Sequence, residues 1–478
     1  LQDINTMTTF GLADSGAFAG GTLAFINRCR VNGFGVDESD KGFLIAAAAS
    51  DAAARFGLSP LPEPKTETCT DPNLRASAPN IAIYAGDAIG YPYWGYYAHA
   101  LLSIGLGFDV VTGTDVVNGR LNDCDLLVMP GGFATWGLDR AEGLDGIDAA
   151  ISTFIRKGGA YMGSCGGAFY MSQGRPGWHG AIDAMPKFTQ EYLLTGAAVL
   201  GISVEGPVIG RGLPETVELP YYHGPIYSNG QRFAETLGHF RNYISDSRLF
   251  IDNPLSAVVF SDEMKDTPAI FMAPFGDGKV LTFSPHPEMG EFVRKGITFE
   301  GYVRHYLPIR GFKVMDQTLR FFMKEDCAGF RLIHNAIACL GLFDGQTAGN
   351  DPISAPTAGL VDVLDDLDAT MTKQFEALAL MAADESESLQ DIIAAETDRL
   401  KAEWTEVSSG LRQVTVSGPI DARVAGGLSS VLDAAAQAPQ QTRLAELIVM
   451  TELPIRLAAA ALRILACDQA LSASETKK

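Results

Sequence analysis

Gly159-Ala160-Tyr161-Met162-Gly163-Ser164-Cys165-Gly166-Gly167-Ala168-Phe169-Tyr170-Met171 is the stretch on which the fold turns. An apolar, strand-like run breaks at Gly163 to Gly167 and resumes as a helix-like run, with a single cysteine at the break. Glycines on both sides let the backbone take a sharp strand-to-helix turn, which lifts the side chain out of the sheet. The following helix points its positive end toward the sulfur, so Cys165 reads as a nucleophile on an elbow.

Two other stretches supply what such a sulfur needs. About 120 residues downstream, Gly278-Lys279-Val280-Leu281-Thr282-Phe283 reads as a strand ending in Ser284-Pro285-His286-Pro287-Glu288. A histidine at a strand end can take the thiol proton. Glu288, two positions on, can orient the ring and support its charged form, so Cys165, His286 and Glu288 form a nucleophile, base and carboxylate in that chain order. Upstream, Leu126-Leu127-Val128-Met129 opens into Pro130-Gly131-Gly132. The bare amides of Gly131 and Gly132, with that of Gly166, are the expected oxyanion hole.

Together these pieces resemble the class I glutamine amidotransferase-like superfamily, whose marks are a Pro-Gly-Gly loop, a G-x-C-x-G elbow and a distant H-x-E. Within it, the run from Gly158 to Tyr170 and His286-Pro287-Glu288 look most like the amidotransferase-like domain at the N-terminus of certain biotin protein ligases. Tyr221-Tyr222-His223-Gly224-Pro225-Ile226-Tyr227 is similar to the aromatic-Gly-Pro stretch between them. The resemblance covers roughly residues 78 to 325 and implies a flavodoxin-like α/β fold with amide chemistry at Cys165. Nothing in the chain resembles a biotin ligase catalytic domain, so ligase activity is not carried over.

The flanking pattern agrees with that fold class. Ile81 to Tyr84, Phe108 to Val111, Leu126 to Met129 and Ala160 to Met162 read as strands, alternating with helices at Tyr96 to Leu106 and Ile147 to Arg156. Such alternation predicts a mainly parallel sheet with helices on both faces and reactive groups at the strand C-terminal ends. Between Ser172 and Phe275, runs at Ala197 to Val204, Val217 to Leu219 and Ala257 to Phe260 predict antiparallel hairpins. These and the loop from Gly86 to Gly95 would wall the pocket, with His223, Tyr91, Tyr93 and Trp94 as candidate substrate-binding residues.

The ends of the chain read differently. Residues 1–77 are expected to be a helical segment, with helices at Ser15 to Cys29 and about Asp40 to Phe56, then a linker from Leu58 to Pro79. The amidotransferase-like domain is set at 78–340 and a second linker at 341–356. Residues 357–478 read as an all-α bundle, because Leu360, Leu364, Leu367, Met371, Phe375 and Leu378 recur at three- and four-residue steps. Further helices are expected at about Ser388 to Val407, Pro419 to Ala436 and Thr442 to Leu471, and the bundle is a candidate homo-oligomer or partner surface.

Composition narrows the function classes. A net charge of −21 without a Lys/Arg cluster argues against nucleic acid and anionic membranes as partners. Seven scattered cysteines without a C-x-x-C pair point to no zinc site and no disulfide framework, so no metal or cofactor is expected and a reducing, cytoplasmic setting fits best. The chain starts at Leu1, which leaves a removed leader open. The absence of a P-loop places any ammonia-accepting synthetase on a separate chain. The expected activity is hydrolysis of, or transfer from, a small-molecule or peptide amide. The alternative is a catalytically idle amidotransferase-like scaffold whose C-terminal helices dock a partner.

Overall fold

The computed structural model describes residues 7–12, 21–39, 42–60, 78–132, 137–187, 196–228, 231–250, 253–300, 328–343, 358–417 and 421–475. Its centre is a nine-stranded sheet ordered β10-β9-β11-β12-β13-β8-β7-β5-β6. The strands are β5 (Ile81–Tyr84), β6 (Asp109–Val111), β7 (Leu126–Met129), β8 (Ala160–Ser164), β9 (Ala197–Ser203), β10 (Thr216–Tyr222), β11 (Glu235–Ser247), β12 (Pro268–Phe275) and β13 (Gly278–Phe283). From β13 to β6 every pairing is parallel, and from β12 outward to β10 every pairing is antiparallel. Strands β5, β7 and β8 are buried along their whole length, which is why they are short, unbroken apolar runs rather than alternating ones.

Around this sheet lie α3 (Tyr93–Ser103), α4 (Gly113–Val117), α5 (Leu138–Glu142), α6 (Ile147–Arg156), α7 (Gly166–Met171), α8 (Gly290–Thr298) and α9 (Ala328–Cys339). Helix α6 buries Ile147, Ile151 and Ile155, a stripe at four-residue spacing. The expected mainly parallel α/β architecture is therefore present, with one correction. Ala257 to Phe260 is no strand but a turn of helix, because the Ser256 hydroxyl accepts a hydrogen bond from the Val258 amide and caps it.

The N-terminal segment also departs from the all-helical expectation. It holds β1 (Met7–Leu12), α1 (Thr22–Val31), β2 (Val36–Ser39), β3 (Gly42–Ala46), α2 (Ala47–Ala53) and β4 (Leu58–Pro60). The strands form a second, antiparallel sheet ordered β2-β3-β1-β4. Strand β3 takes Phe43 to Ala46 out of the anticipated helix, since β1 and β2 pair on both its sides. Strand β4 likewise begins where a linker was expected, and residues 61–77 of that linker lie outside the described residues.

Past residue 357, the described residues form four helices: α10 (Ala358–Ala382), α11 (Glu387–Ser417), α12 (Ala422–Gln437) and α13 (Leu444–Glu475). Pro454 lies inside α13, whereas Pro419 and most of the second linker (344–356) are outside the described residues. Leu360, Leu364, Leu367, Met371, Phe375 and Leu378 are all buried, so the predicted stripe is consumed within the chain. Helix α13 also packs on α1, α3 and α8. Two buried charge clusters fasten these contacts. Arg28 of α1 grips Asp468 through two bonds of 2.8 Å, and Lys295 of α8 pairs with Glu396 at 2.6 Å and with Glu452. A buried cation left without its partner is costly, so these pairs fix where α13 sits against α1 and α8.

Candidate active site

The three sequence motifs end on neighbouring strands. Gly131 follows β7, Cys165 follows β8 and His286 follows β13, and β7, β8 and β13 are adjacent and parallel, so their C-terminal ends form one rim.

Cys165 has φ 49° and ψ −105°, a conformation that costs a non-glycine residue about 1–3 kcal/mol and is held only where the surroundings dictate it. Those surroundings are visible. The Cys165 amide donates to the Phe283 carbonyl of β13 at 2.9 Å, and its own carbonyl accepts from Ala168 and Phe169 at 3.0 Å. The flanking glycines permit close approach. A Cβ on Gly167 would lie 2.4 Å from the Met129 carbonyl oxygen, and one on Gly163 would meet the Tyr161 ring at 2.8 Å. The elbow is thus wedged between β7 and β13 with no room for a methyl group at either position.

His286 and Glu288 are both 1% exposed. The ring Nδ1 and the Glu288 Oε1 are 2.7 Å apart, which orients the imidazole with Nε2 free for other work. Burial by itself would strip the proton from His286. The charge of Glu288 and the neighbouring Cys165 sulfur outweigh it and raise the ring to about 10. A Cβ on Gly131 would touch His286 Cε1 at 2.8 Å, Cys165 Cβ at 3.1 Å and Cys165 Sγ at 3.6 Å, so all three residues share one contact region. The thiol itself donates to the Tyr222 carbonyl at 3.0 Å, and Nε2 of His286 closes no hydrogen bond of good geometry.

Tyr222 reaches the elbow because the antiparallel half of the sheet curls back. The His286 amide donates to Pro220 of β10 at 2.8 Å, and the Tyr222 ring stands edge-on to His286, with centroids 5.7 Å apart. His223 follows with φ 51°, and its Nδ1 accepts from the Gly196 amide at 3.1 Å; burial lowers its pKa, so the ring is neutral near pH 7. Of the predicted aromatic residues, Tyr93 lies against Gly132, where a Cβ would meet its ring at 3.0 Å, and burial raises its pKa. Tyr91 and Trp94 pack edge-on against each other, with ring centroids 6.2 Å apart. Gly166 opens α7 directly after the nucleophile position, and Gly132, at φ 97°, ends the described part of its loop before residues 133–136.

Ser164, Tyr97 and the Tyr222 carbonyl belong to this site and were not anticipated. Ser164 carried a signal, being a hydroxyl on an otherwise apolar buried strand. Tyr97 carried one too, since it falls one helical turn after Tyr93. A backbone carbonyl has no sequence signal.

Residues 118–175, which span β7, β8 and the elbow, match the family described as biotin-protein ligase, N terminal. The described sheet has the α/β fold expected of a glutamine amidotransferase-like domain. No curated protein matches it. Among solved structures, this amidotransferase-like chain is similar to a glutamine amidotransferase at 19% identity, over 44% of this chain and 90% of that one, with a TM-score of 0.30. A glutamine amidotransferase from Thermotoga maritima aligns at 13% identity, over 55% and 98%, with a TM-score of 0.34. A β-galactosidase from Bacillus circulans sp. alkalophilus aligns at 13% identity and a TM-score of 0.27, over 44% of this chain and 29% of that one. Likeness at this level says nothing of activity, and the fold of the amidotransferase-like domain rests on its own strand order. Among the described residues, no helix is long and apolar enough to cross a membrane.

Proposed function

We propose that the chain is a cysteine-dependent amidotransferase-like enzyme that cleaves a carboxamide or peptide amide. The observation that carries this reading is the strained Cys165 elbow beside a buried His286–Glu288 pair, on the ends of adjacent parallel strands. The Cys165 sulfur attacks the carbonyl carbon while His286 holds the thiol proton. Glu288 keeps the imidazolium oriented. The amides of Gly131, Gly132 and Gly166 receive the developing oxyanion. His286 then passes its proton to the departing amine or ammonia, leaving a thioester on Cys165. Water or an acceptor amine, deprotonated by His286, releases the acyl group and restores the thiol. Tyr93 and His223 line the approach. An acceptor that consumes the ammonia would sit on a separate chain.

Release of ammonia or amine from a panel of carboxamides and peptide amides tests this reading. Turnover supports it, and a barren panel together with a sluggish Cys165 counts against it. A second reading, an idle amidotransferase-like scaffold, is favoured by one observation, the thiol bonded to the Tyr222 carbonyl rather than to His286.

The same site gives a sharper local prediction. Gly131→Ala puts a methyl between His286 Cε1 and Cys165 Cβ, both of which are already in contact distance. Displacing either group by a fraction of an ångström should slow Cys165 alkylation and any turnover on the order of 10²-fold, with cooperative thermal unfolding retained.

A further inference from the structure

Glu288 has a second partner besides His286. Ser164, the last residue of β8, donates its hydroxyl to Glu288 Oε1 at 2.7 Å, and that same oxygen receives His286 Nδ1 at 2.7 Å. Ser164 is 0% exposed. Both lone pairs of Oε1 are therefore committed, one to the strand that carries the nucleophile and one to the imidazole. The other oxygen, Oε2, is buried without a hydrogen bond, as is the hydroxyl of Tyr97 on α3. Tyr97 is near Glu288, Ser164 and Cys165, and its hydroxyl sits beside that of Ser164 without closing a bond of good geometry. Two buried polar groups without hydrogen bonds in one neighbourhood are each costly to keep.

Resting on the amidase reading above, we propose that Ser164, seconded by Tyr97, is a positioning residue that holds the Glu288 carboxylate aimed at His286. Neither residue touches the reacting carbonyl. Ser164 acts through the carboxylate, and it does so from the position next to the nucleophile, so the elbow and the base are registered to each other by one shared oxygen. Tyr97 supplies a buried hydroxyl beside that of Ser164, in the electrostatic neighbourhood of the carboxylate. The titratable groups facing Glu288 among the described residues are His286 on its own loop, Cys165 at the elbow and Tyr97 on α3. Tyr222 of β10 stands beyond, against the His286 ring.

The removal of a donor from a buried carboxylate makes its charged form harder to keep. Ser164→Ala should therefore slow iodoacetamide alkylation of Cys165 roughly 10-fold at neutral pH and move the acid limb of that rate upward by about one pH unit. Tyr97→Phe should move it in the same direction by less. In a Glu288→Gln background, Ser164→Ala should add nothing further, because the group it acts through is already neutral. An unchanged profile in Ser164→Ala, or an effect that adds in full to that of Glu288→Gln, overturns the proposal and leaves Ser164 a packing residue. If Ser164→Ala loses its cooperative melt, Tyr97→Phe, which removes one oxygen and keeps the ring, decides in its place: a shifted limb supports the proposal and an unshifted one overturns it. The wild-type chain separates this from the reading beneath it. Slow, Glu288-independent labelling of Cys165 sinks the amidase reading itself, whereas Glu288-dependent labelling that ignores Ser164 and Tyr97 sinks the present proposal alone.

Discussion

Cys165→Ala is expected to abolish amide turnover, by a factor on the order of 10⁴ or more, while the chain unfolds as cooperatively as before. The size of the effect follows from the removal of the atom that forms the covalent intermediate, since no other described cysteine lies on the rim of β7, β8 and β13. Stability should hold because alanine is smaller than cysteine and the thiol is only half-buried. Alanine keeps the same backbone strain, so the φ of 49° is neither relieved nor worsened. Ammonia release and a thermal melt on the same preparation check both halves. Retained turnover would take Cys165 out of the mechanism.

The second large effect belongs to Glu288. Burial presses His286 toward its neutral form, and the Glu288 charge is the foremost influence holding the proton on. Glu288→Gln should therefore lower the His286 pKa well below about 10 and reduce turnover by roughly 10² to 10⁴-fold, as expected when a general base loses its orienting anion. The sign of the stability effect follows by linkage. A ring whose folded pKa exceeds its unfolded value of about 6.5 stabilises the fold fully below that value, and the contribution fades as the pH rises to the folded pKa. The wild-type advantage in melting temperature over Glu288→Gln should accordingly shrink between about pH 6.5 and 10. NMR of ring-labelled histidine in the two proteins gives the same comparison directly. An imidazole that titrates alike in both would contradict it.

Much of this site could be read before any coordinates. Leu126 to Met129, Ala160 to Met162 and Val280 to Phe283 are short apolar runs that end in glycine, proline or a polar loop, and that punctuation marks the C-terminal ends of buried parallel strands. Three such ends carrying Gly-Gly, Cys and His-x-Glu made a shared rim a natural expectation. The antiparallel half was harder. β11 pairs with β9 and β12 through register shifts, and its exposure alternates irregularly, so no single period announces it. Ala257 to Phe260 has the β-branched look of a strand, yet Val258 is 66% exposed and Ser256 caps a helical turn there. The N-terminal sheet hid for another reason. Its strands are only three to six residues long and lie among alanines and glycines that read as helix.

The contacts that escaped notice share a cause. Ser164 reaches Glu288 across 124 positions, and Tyr222 reaches Cys165 through a carbonyl that every residue possesses. Tertiary folding supplies both, and no local spacing encodes them. The C-terminal helices illustrate the converse. Their apolar stripes were plain in the sequence, but that α13 would spend its length against α1, α3 and α8 depended on buried pairs such as Lys295 with Glu452.

The ranking of thiol reactivity tests the central claim most directly. Burial pushes the Cys29 thiol up, and raises Cys124 and Cys467 to about 12 and Cys339 to about 11, so each of these is almost wholly protonated near neutral pH. Brief exposure of the folded chain to iodoacetamide, followed by peptide mass spectrometry, should find Cys165 carboxamidomethylated well before those four, with its lead lost in His286→Ala. Cys165 labelling no faster than they do, or a lead that survives the loss of His286, would contradict a sulfur activated by the imidazole at the end of β13.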